Sequence, residues 1–240
     1  MLVVRFTKNE KGRDYIVGDI HGNFTKLENH LKSIGFNNEN GDRLFSVGDL
    51  VDRGPESEMC IDWVSKDWFF PVQGNHEDMA IRWPNGHMDK DNYIANGGMW
   101  NVNNDKSKSK VISDVLSLLP IAIEIETLSG LVGIVHADCP AKVWQDFIDV
   151  LEDKELTKRH VQTAIDAAMW SRLRIENRNI IPPENVEGVR AVIVGHTPLQ
   201  SPTWVGNVFH IDTAGWHPNG YGFTVIDAET LEVVNPIDTV

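Results

Sequence analysis

The sequence predicts an α/β fold in which two β-sheets form a sandwich flanked by helices. Four short apolar runs each end in Gly followed by a residue that can bind a metal, a pattern typical of buried strands. Helical patterns separate the first three runs, which favours parallel pairing with helical crossovers. From about Pro120 the pattern changes to the two-residue alternation of sheet strands, which indicates a second sheet packed on the first.

The first sheet is predicted from the four apolar runs, at residues 15–19, 44–49, 70–75 and 192–196. In parallel α/β sheets, functional sites lie beyond the carboxyl ends of the strands. Each run ends by presenting a candidate ligand at that edge. We therefore expect the four ends to meet in one site.

Two helices are predicted between the first three strands. The first has its apolar residues on one face from Phe24 onwards, with Asn23 as a plausible N-cap and Gly35 as its stop. The second is predicted to open at Pro55, because the missing N–H of proline costs nothing at the first helical position.

The remaining elements follow in chain order. Residues 78–110 are predicted to form short helices with exposed connections, and residues 144–175 to be mainly helical. The alternation at residues 121–126 predicts a half-buried strand, and the next strand leads to His136. Residues 208–211 and 222–226 are also strand-like, and we place them in the second sheet.

Length and composition limit the class of protein. A 240-residue chain that is 41% hydrophobic can build one sizeable core, so a single domain over residues 1–240 is predicted. No apolar run approaches the ~20 residues needed to cross a bilayer, and residues 1–11 lack a secretion pattern. A soluble, cytoplasmic protein with no membrane partner is expected.

The charge and the cysteines exclude two further classes. A formal charge of −13 argues against a nucleic-acid partner, which needs clustered Lys and Arg. Cys60 and Cys139 are too few for a disulfide scaffold. Neither is followed six positions later by the Arg that a cysteine phosphatase requires, so both are expected to be packing residues.

The candidate ligands combine carboxylate, imidazole and amide oxygen, a mixture that suits Mn²⁺, Fe or Zn²⁺ better than Ca²⁺ or a thiolate zinc site. A catalytic ion must leave a position open for water, so the number of ligands predicts two ions that share one carboxylate. Such ions lie ~3.5–4 Å apart and lower the pKa of a shared water toward neutrality. The candidates are Asp19, His21, Asp49, Asn75, His136 and His196.

Three neighbouring residues suit the remaining chemical tasks. His76 follows the ligand Asn75 and is the candidate general acid for a leaving alkoxide. Asp52 is expected to orient the His76 imidazole, and the Arg53 guanidinium to bind phosphate oxygens. An ordinary ion pair between Asp52 and Arg53 is the structural alternative. Trp83, Trp100 and Trp216 are candidates to line a substrate groove.

The sequence resembles the PPP family of serine/threonine phosphatases. Residues 18–22 (Gly-Asp-Ile-His-Gly), 48–54 (Gly-Asp-Leu-Val-Asp-Arg-Gly) and 74–77 (Gly-Asn-His-Glu) resemble its three signature blocks, and His136 and His196 its later metal histidines. The similarity is strongest to the compact bacteriophage-lambda type and its bacterial relatives, over about residues 15–225. It implies the calcineurin-like metallophosphoesterase fold, a phosphoprotein substrate and two divalent ions, with Mn²⁺ expected and Fe or Zn²⁺ as alternatives.

The resemblance also implies a role for each candidate. Asp19 and His21 would hold the first ion, Asp49 would bridge, and the second ion would lie on Asn75, His136 and His196. Residues 170–175 are similar to the family segment that supplies another phosphate-binding arginine, which we place at Arg172, with Arg174 as the alternative. One departure is Asp-Thr-Ala-Gly at residues 212–215 in place of Asp-Thr-Gly-Ala, which is expected to change the shape of that loop.

Three rival functions share parts of this pattern. Dinucleoside tetraphosphate hydrolases resemble the chain in the metal blocks but typically lack the aspartate that is Asp52 here. Metallophosphodiesterases usually carry Gly-His-x-His, whereas this chain has Gly-His-Thr-Pro at residues 195–198. A regulatory module that binds phosphoproteins without turnover is expected to have lost part of the catalytic set, and none is missing.

Overall fold

The computed structural model of the chain describes residues 1–220 and 222–234. Strands β1 to β10 span Val3–Phe6, Asp14–Val17, Arg43–Ser46, Phe69–Pro71, Ala122–Thr127, Gly130–Ile134, Ala191–Val194, Thr203–Val205, Val208–His210 and Val225–Asp227. Helices α1 to α9 span Phe24–Ser33, Cys60–Val64, Asn75–Arg82, Lys90–Ala95, Met99–Val102, Lys106–Leu116, Trp144–Glu152, Lys158–Trp170 and Leu173–Glu176. None of the helices in these residues is long and apolar enough to cross a membrane.

Two sheets form the centre of the fold, as predicted. The four-stranded sheet has the order β10-β2-β3-β4, in which β2, β3 and β4 are parallel. The six-stranded sheet has the order β1-β5-β6-β7-β9-β8 and is mixed. The facing sides of the sheets bury apolar side chains against each other, such as Ile16 and Phe45 on one sheet and Ile193 and Phe209 on the other.

The assignment of strands to sheets was wrong at two places. The fourth Gly-ligand strand, β7, lies in the six-stranded sheet between β6 and β9, not beside the other three. The strand predicted at residues 222–226 is β10, which pairs antiparallel with β2 in the first sheet. Because both sheets direct strand ends toward the same edge of the sandwich, the site lies between the sheets.

Strand β5 is more buried than its alternation predicted. Ala122, Ile123, Glu124 and Ile125 are all buried, so the strand is not half-buried. The reason is that α7 covers its outer face, where the Trp144 Nε1–H donates to Glu124 Oε1 at 2.7 Å. A carboxylate on a sheet therefore need not face solvent when a helix supplies its donor.

The predicted helices are present, but the cap of the first and the starting residue of the second differ from the prediction. Helix α1 follows Asn23 and ends before Gly35, which has φ +77°, but the Asn23 amide donates to two backbone carbonyls instead of capping the helix. The second helix begins at Cys60, after a 3₁₀ turn at Ser57–Met59, and not at Pro55. The predicted short helices of residues 78–110 are α3 to α6, and those of residues 144–175 are α7 to α9.

Candidate metal centre

Glycine brings the strand ends close enough for side chains from different strands to meet. A Cβ at Gly195 would lie 2.0 Å from Asp19 Oδ1, and a Cβ at Gly74 would lie 2.3 Å from Asp49 Oδ1. Any side chain at these positions would displace the carboxylates. At Gly195 and Gly74 the small residue is therefore required by the approach of a neighbouring carboxylate, whereas Gly18 and Gly48 are approached closely by backbone atoms.

Asp49 lies at the centre of the cluster and uses its two oxygens in different directions. Its Oδ2 is 3.5 Å from His21 Nε2, and its Oδ1 is 3.3 Å from His136 Nε2. Two groups of buried ligand atoms, each within 4.8 Å of one another, share this carboxylate: His21, Asp49 and His76, and Asp49, His136 and His196. A carboxylate placed in this way can bridge two cations.

Asn75 completes the second group. Its Oδ1 lies 2.8 Å from His136 Nε2 and 2.9 Å from His196 Nδ1, so three ligand-type atoms meet at one point. Asn75 is the first residue of α3, directly after the Gly74 that approaches Asp49. The strand-to-helix turn thus delivers the amide beside the shared carboxylate.

Asp19 lies at the edge of the first group. Its Oδ2 is 4.0 Å from His21 Nε2, while its carboxylate accepts from the backbone N–H of His196 at 3.1–3.2 Å. His76 Nε2 lies 3.9 Å from Asp49 Oδ2, and His76 completes the first group of close ligand atoms. The six predicted ligands are all brought together, and His76 adjoins them.

The donor set fits divalent cations. His196 Nε2 and Asp212 Oδ2 are buried and have no hydrogen-bond partner among the residues that the structure describes. Burial, together with the charges of Asp212 and Asp49, raises the pKa of Asp19 well above its usual range. Buried carboxylates and unpartnered imidazole nitrogens are stabilised by cations, which accept these lone pairs and offset the negative charge.

The electrostatics favour the metal-binding form at three of the candidate ligands, His21, His196 and Asp49. Burial and the nearby His76 lower the pKa of His21 well below its usual range, and burial and the nearby His136 lower that of His196 to about 3. Burial disfavours the charge of Asp49, but the surrounding imidazoles outweigh it and hold its pKa well below the usual range. Neutral imidazole and ionised carboxylate are the ligand forms.

A second group of side chains adjoins the ligands on one side. His76 Nδ1 lies 2.8 Å from Asp52 Oδ2, so the imidazole donates to a carboxylate that is fully buried. The second carboxylate oxygen, Asp52 Oδ1, accepts from Trp100 Nε1–H at 2.7 Å. Burial raises the pKa of Asp52, whereas the bonds from His76 and Trp100 favour its charged form. The predicted pairing of His76 with Asp52 is present in the geometry.

Arg53 is exposed at the mouth of the cluster and does not pair with Asp52 in the ordinary ion pair that was the alternative. Its guanidinium donates to His21 Nε2 at 2.8 Å and to His76 Nε2 at 3.0 Å, and lies over the ring of Trp216 at 4.6 Å. Trp216 holds the guanidinium by a cation–π contact. Trp83, by contrast, packs against the ring of Tyr93 at the apolar core.

Glu77 joins the second and third sequence blocks. It is completely buried, and its Oε2 accepts from the backbone N–H groups of Gly74 and Asp49, each at 2.8 Å. Its Oε1 accepts from those of Leu50 at 2.8 Å and Val51 at 3.3 Å. Burial and the charge of Asp49 raise the pKa of Glu77 to about 7, whereas these backbone donors favour the carboxylate. Its position in the first turn of α3 accounts for only part of these contacts.

The structure separates the two candidate arginines. Arg172 is exposed, and its Nη1 lies 3.4 Å from Thr197 Oγ1, beside the candidate ligand His196. Arg174 donates its Nε–H to Asp138 Oδ1 at 2.7 Å and a second N–H to the carbonyl of Glu184. Arg174 is thus engaged in a partly buried ion pair, whereas the exposed guanidinium of Arg172 makes one long contact, with the Thr197 hydroxyl.

In the loop at residues 212–215, Ala214 stands where the family pattern has Gly, and its backbone is left-handed. Ala214 has φ +54°, a conformation that side chains other than Gly resist. A Cβ at Gly215 would lie 2.5 Å from the backbone nitrogen of Phe223, so the small residue is also required there. Cys60 and Cys139 are free and buried, as expected of packing residues.

Comparison with known proteins agrees with this geometry. The family model described as calcineurin-like phosphoesterase matches residues 14–200. The chain is 31% identical to serine/threonine-protein phosphatase 1 of Salmonella typhimurium, over 83% of this chain and 85% of that protein. It is 26% identical to the asymmetrical bis(5'-nucleosyl)-tetraphosphatase PrpE of Anoxybacillus flavithermus, over 82% and 84% of the two chains. A crystal structure provisionally named a diadenosine tetraphosphatase shares the fold, with a TM-score of 0.63, 21% identity and coverage of 98% and 97%.

Proposed function

The chain belongs to the calcineurin-like phosphoesterase family, and we propose that within it this enzyme is a metal-dependent phosphoprotein phosphatase. Its proposed substrates are phosphoserine and phosphothreonine monoesters in proteins and peptides, with phosphotyrosine as a further class to test. The name of the Salmonella relative, a serine/threonine-protein phosphatase, supports this choice.

The proposed ligands are those of the cluster around Asp49. Asp19 and His21 would hold one divalent ion, Asn75, His136 and His196 a second, and Asp49 would serve both. We propose Mn²⁺ for both positions, with Fe or Zn²⁺ as alternatives that suit the same donors. Two such ions, when bound, supply an activated water at neutral pH and offset the charge of the phosphoryl oxygens.

The observation that carries the proposal is the contact between His76 and Asp52. Serine and threonine alkoxides are poor leaving groups and need a proton as the P–O bond breaks. Asp52 holds His76 through Nδ1, so the opposite nitrogen, Nε2, faces the cluster, and we propose that it carries that proton once the Arg53 guanidinium turns from it to the phosphate. A nucleotide phosphate leaves more readily and has less need of such an acid.

Two arginines are proposed to bind the phosphate. Arg53 is exposed at the mouth of the cluster, and its N–H groups are already directed at ring nitrogens within it. Arg172 lies on the opposite side, beside His196. A guanidinium presents paired N–H donors that match two phosphate oxygens.

The test compares substrates on metal-free protein, with and without added Mn²⁺. A phosphoserine peptide, a phosphotyrosine peptide and diadenosine tetraphosphate are offered at equal concentrations, and kcat/KM is measured for each. We expect Mn²⁺-dependent phosphate release from the peptides, with serine turned over at least as well as tyrosine. Asp49→Asn, which alters the shared carboxylate, is the matched control and should lose the response to Mn²⁺.

A second candidate function is hydrolysis of dinucleoside tetraphosphates, and the similarity to the Anoxybacillus enzyme favours it. The same experiment separates the two. A preference for diadenosine tetraphosphate of more than tenfold in kcat/KM would replace the phosphoprotein proposal with this one. An equal response of all three substrates to Mn²⁺ would also count against a dedicated phosphoprotein phosphatase.

A further inference from the structure

The carboxylate of Asp52 is held from two sides. Its Oδ2 accepts from His76 Nδ1–H at 2.8 Å, and its Oδ1 accepts from the indole N–H of Trp100 at 2.7 Å. The side chain of Asp52 is completely buried, so water does not compete for either oxygen. An indole can only donate, so the Trp100 contact keeps Asp52 in the role of acceptor.

The backbone that carries Asp52 is unusual. Asp52 and Arg53 follow each other with φ +68° and φ +66°, a conformation that residues other than Gly rarely adopt. Consecutive residues of this kind persist only where surrounding contacts fix them. The Arg53 N–H reaches the carbonyl of Gly97 at 3.4 Å, so the segment that carries Trp100 also contacts the backbone of the turn.

The indole of Trp100 is itself held by a close-packed segment. A Cβ at Gly98 would lie 2.3 Å from the ring of Tyr93, so α4 and α5 pack directly on each other at this glycine. The Asn101 amide donates to the hydroxyl of the buried Tyr93 at 3.2 Å, and the Ser109 hydroxyl donates to the Asn101 carbonyl. These contacts place the Trp100 N–H on Asp52 independently of any substrate.

We infer that Trp100 is a positioning residue of the active site, which holds the Asp52 carboxylate so that its other oxygen fixes the ring of His76. The inference rests on the proposed function, because it assigns His76 the role of acid. It gives residues 90–102 a purpose other than lining a groove. Without the indole donor, the Asp52 carboxylate can rotate and the His76 ring is held by one flexible contact.

The contact itself is tested without any enzymatic assay. The indole N–H signal of Trp100 is identified in the NMR spectrum by its loss in Trp100→Phe, and its exchange with solvent is measured. Asp52→Ala should accelerate that exchange by roughly tenfold or more, as expected when a buried hydrogen bond is lost, and leave the Trp83 signal unchanged. An unchanged exchange rate at Trp100 would overturn the inference.

The effect on catalysis is tested with aryl phosphates of different leaving-group quality. Trp100→Phe keeps a ring but removes the donor, and should lower kcat for phenyl phosphate roughly tenfold, the effect of a lost bond to a charged group. For p-nitrophenyl phosphate, whose leaving group needs little protonation, the loss should be below about threefold. Trp83→Phe, at an indole that packs against Tyr93 and is not the donor to Asp52, is the matched control and should retain full activity.

A double-mutant cycle decides whether Trp100 acts through Asp52. In an Asp52→Asn background, Trp100→Phe should cause no further loss with phenyl phosphate, because the two changes remove the same function. A loss of equal size in both backgrounds, or an equal loss for both esters, would refute the positioning role. Wild-type protein that hydrolyses neither ester with Mn²⁺ would refute the proposed function instead, and indole exchange would still decide the contact.

Discussion

Replacing Glu77 with Gln tests how the second and third sequence blocks are joined. The two carboxylate oxygens of Glu77 accept four backbone N–H groups, two on each oxygen. The donors belong to Gly74, at the start of α3, and to Asp49, Leu50 and Val51, in the turn after β3. Glu77→Gln keeps the shape of the side chain but replaces one oxygen with an amide that cannot accept.

The magnitude follows from the two donors left without an acceptor. A buried N–H that loses its partner costs about 1–3 kcal/mol, so the variant should lose about 2–6 kcal/mol of unfolding free energy. Asp49 is one of the residues affected, because its backbone N–H is bonded to Glu77 Oε2. The affinity for Mn²⁺ should therefore fall together with the stability.

The assay is chemical denaturation of the metal-free protein at pH 8, above the pKa of about 7 that burial and Asp49 give Glu77. Calorimetric titration with Mn²⁺ measures the expected loss of metal affinity. Glu56→Gln is the matched control, because Glu56 accepts a single backbone N–H, from Thr25, at an exposed site. It should lose less than about 1 kcal/mol, as expected of one solvated contact.

The reasoning would be refuted by a Glu77→Gln variant within about 1 kcal/mol of the wild type, since two buried donors cannot be lost at so small a cost. A variant that loses stability but binds Mn²⁺ with unchanged affinity would refute the link to Asp49 alone. The first result would show that the hydrogen bonds of Glu77 add little to stability. The second would show that losing them does not disturb Asp49 as a metal-binding residue.

Three further predictions concern the site and its loops. His76→Asn should retain Mn²⁺ binding but lose on the order of 10²–10⁴-fold in turnover of poor leaving groups, measured with phenyl phosphate; unchanged turnover would remove His76 from the mechanism. Arg172→Ala should raise KM for phosphopeptides at unchanged thermal stability. Arg174→Ala breaks the contact with Asp138 and should lower the unfolding free energy by about 1.5–3 kcal/mol, measured by denaturation. Reversed outcomes would exchange the two roles. Ala214→Gly should raise the unfolding free energy by up to about 1 kcal/mol, because Gly accepts φ +54° without steric strain; a decrease would show that the loop is not strained there.

The candidate ligand residues could be located from the sequence because local sequence positions them. Each lies directly after a strand and a Gly, and the alternation of strands and helices directs such ends to one edge. The same local logic found His76, next to Asn75, and Asp52, three residues after Asp49. The structure brings these residues together in one cluster, with His76 bonded to Asp52.

The partners of those residues were not predictable from the pattern. Trp100 was a candidate for lining a groove, and only the packing of α5 against the Asp52 turn places its N–H on the carboxylate. Glu77 lies in the first turn of α3, and its contacts to the turn after β3 depend on how α3 packs beside that strand. Both contacts join segments that are distant in sequence, so no local spacing reveals them.

The assignment of strands to sheets shows the same difference between what local sequence predicts and what tertiary packing decides. The sequence alone determined the strands, the Gly that ends each one and the chemical type of the ligand that follows, since these depend on burial and backbone freedom within a few residues. Only the tertiary structure decided that β7 joins the second sheet and β10 the first, that Arg174 is engaged by Asp138, and that Arg172 stays exposed with one contact, to Thr197. The physical reason is that pairing and packing partners are chosen by competition among all the exposed edges and faces of the chain, and that choice is not encoded in any single segment.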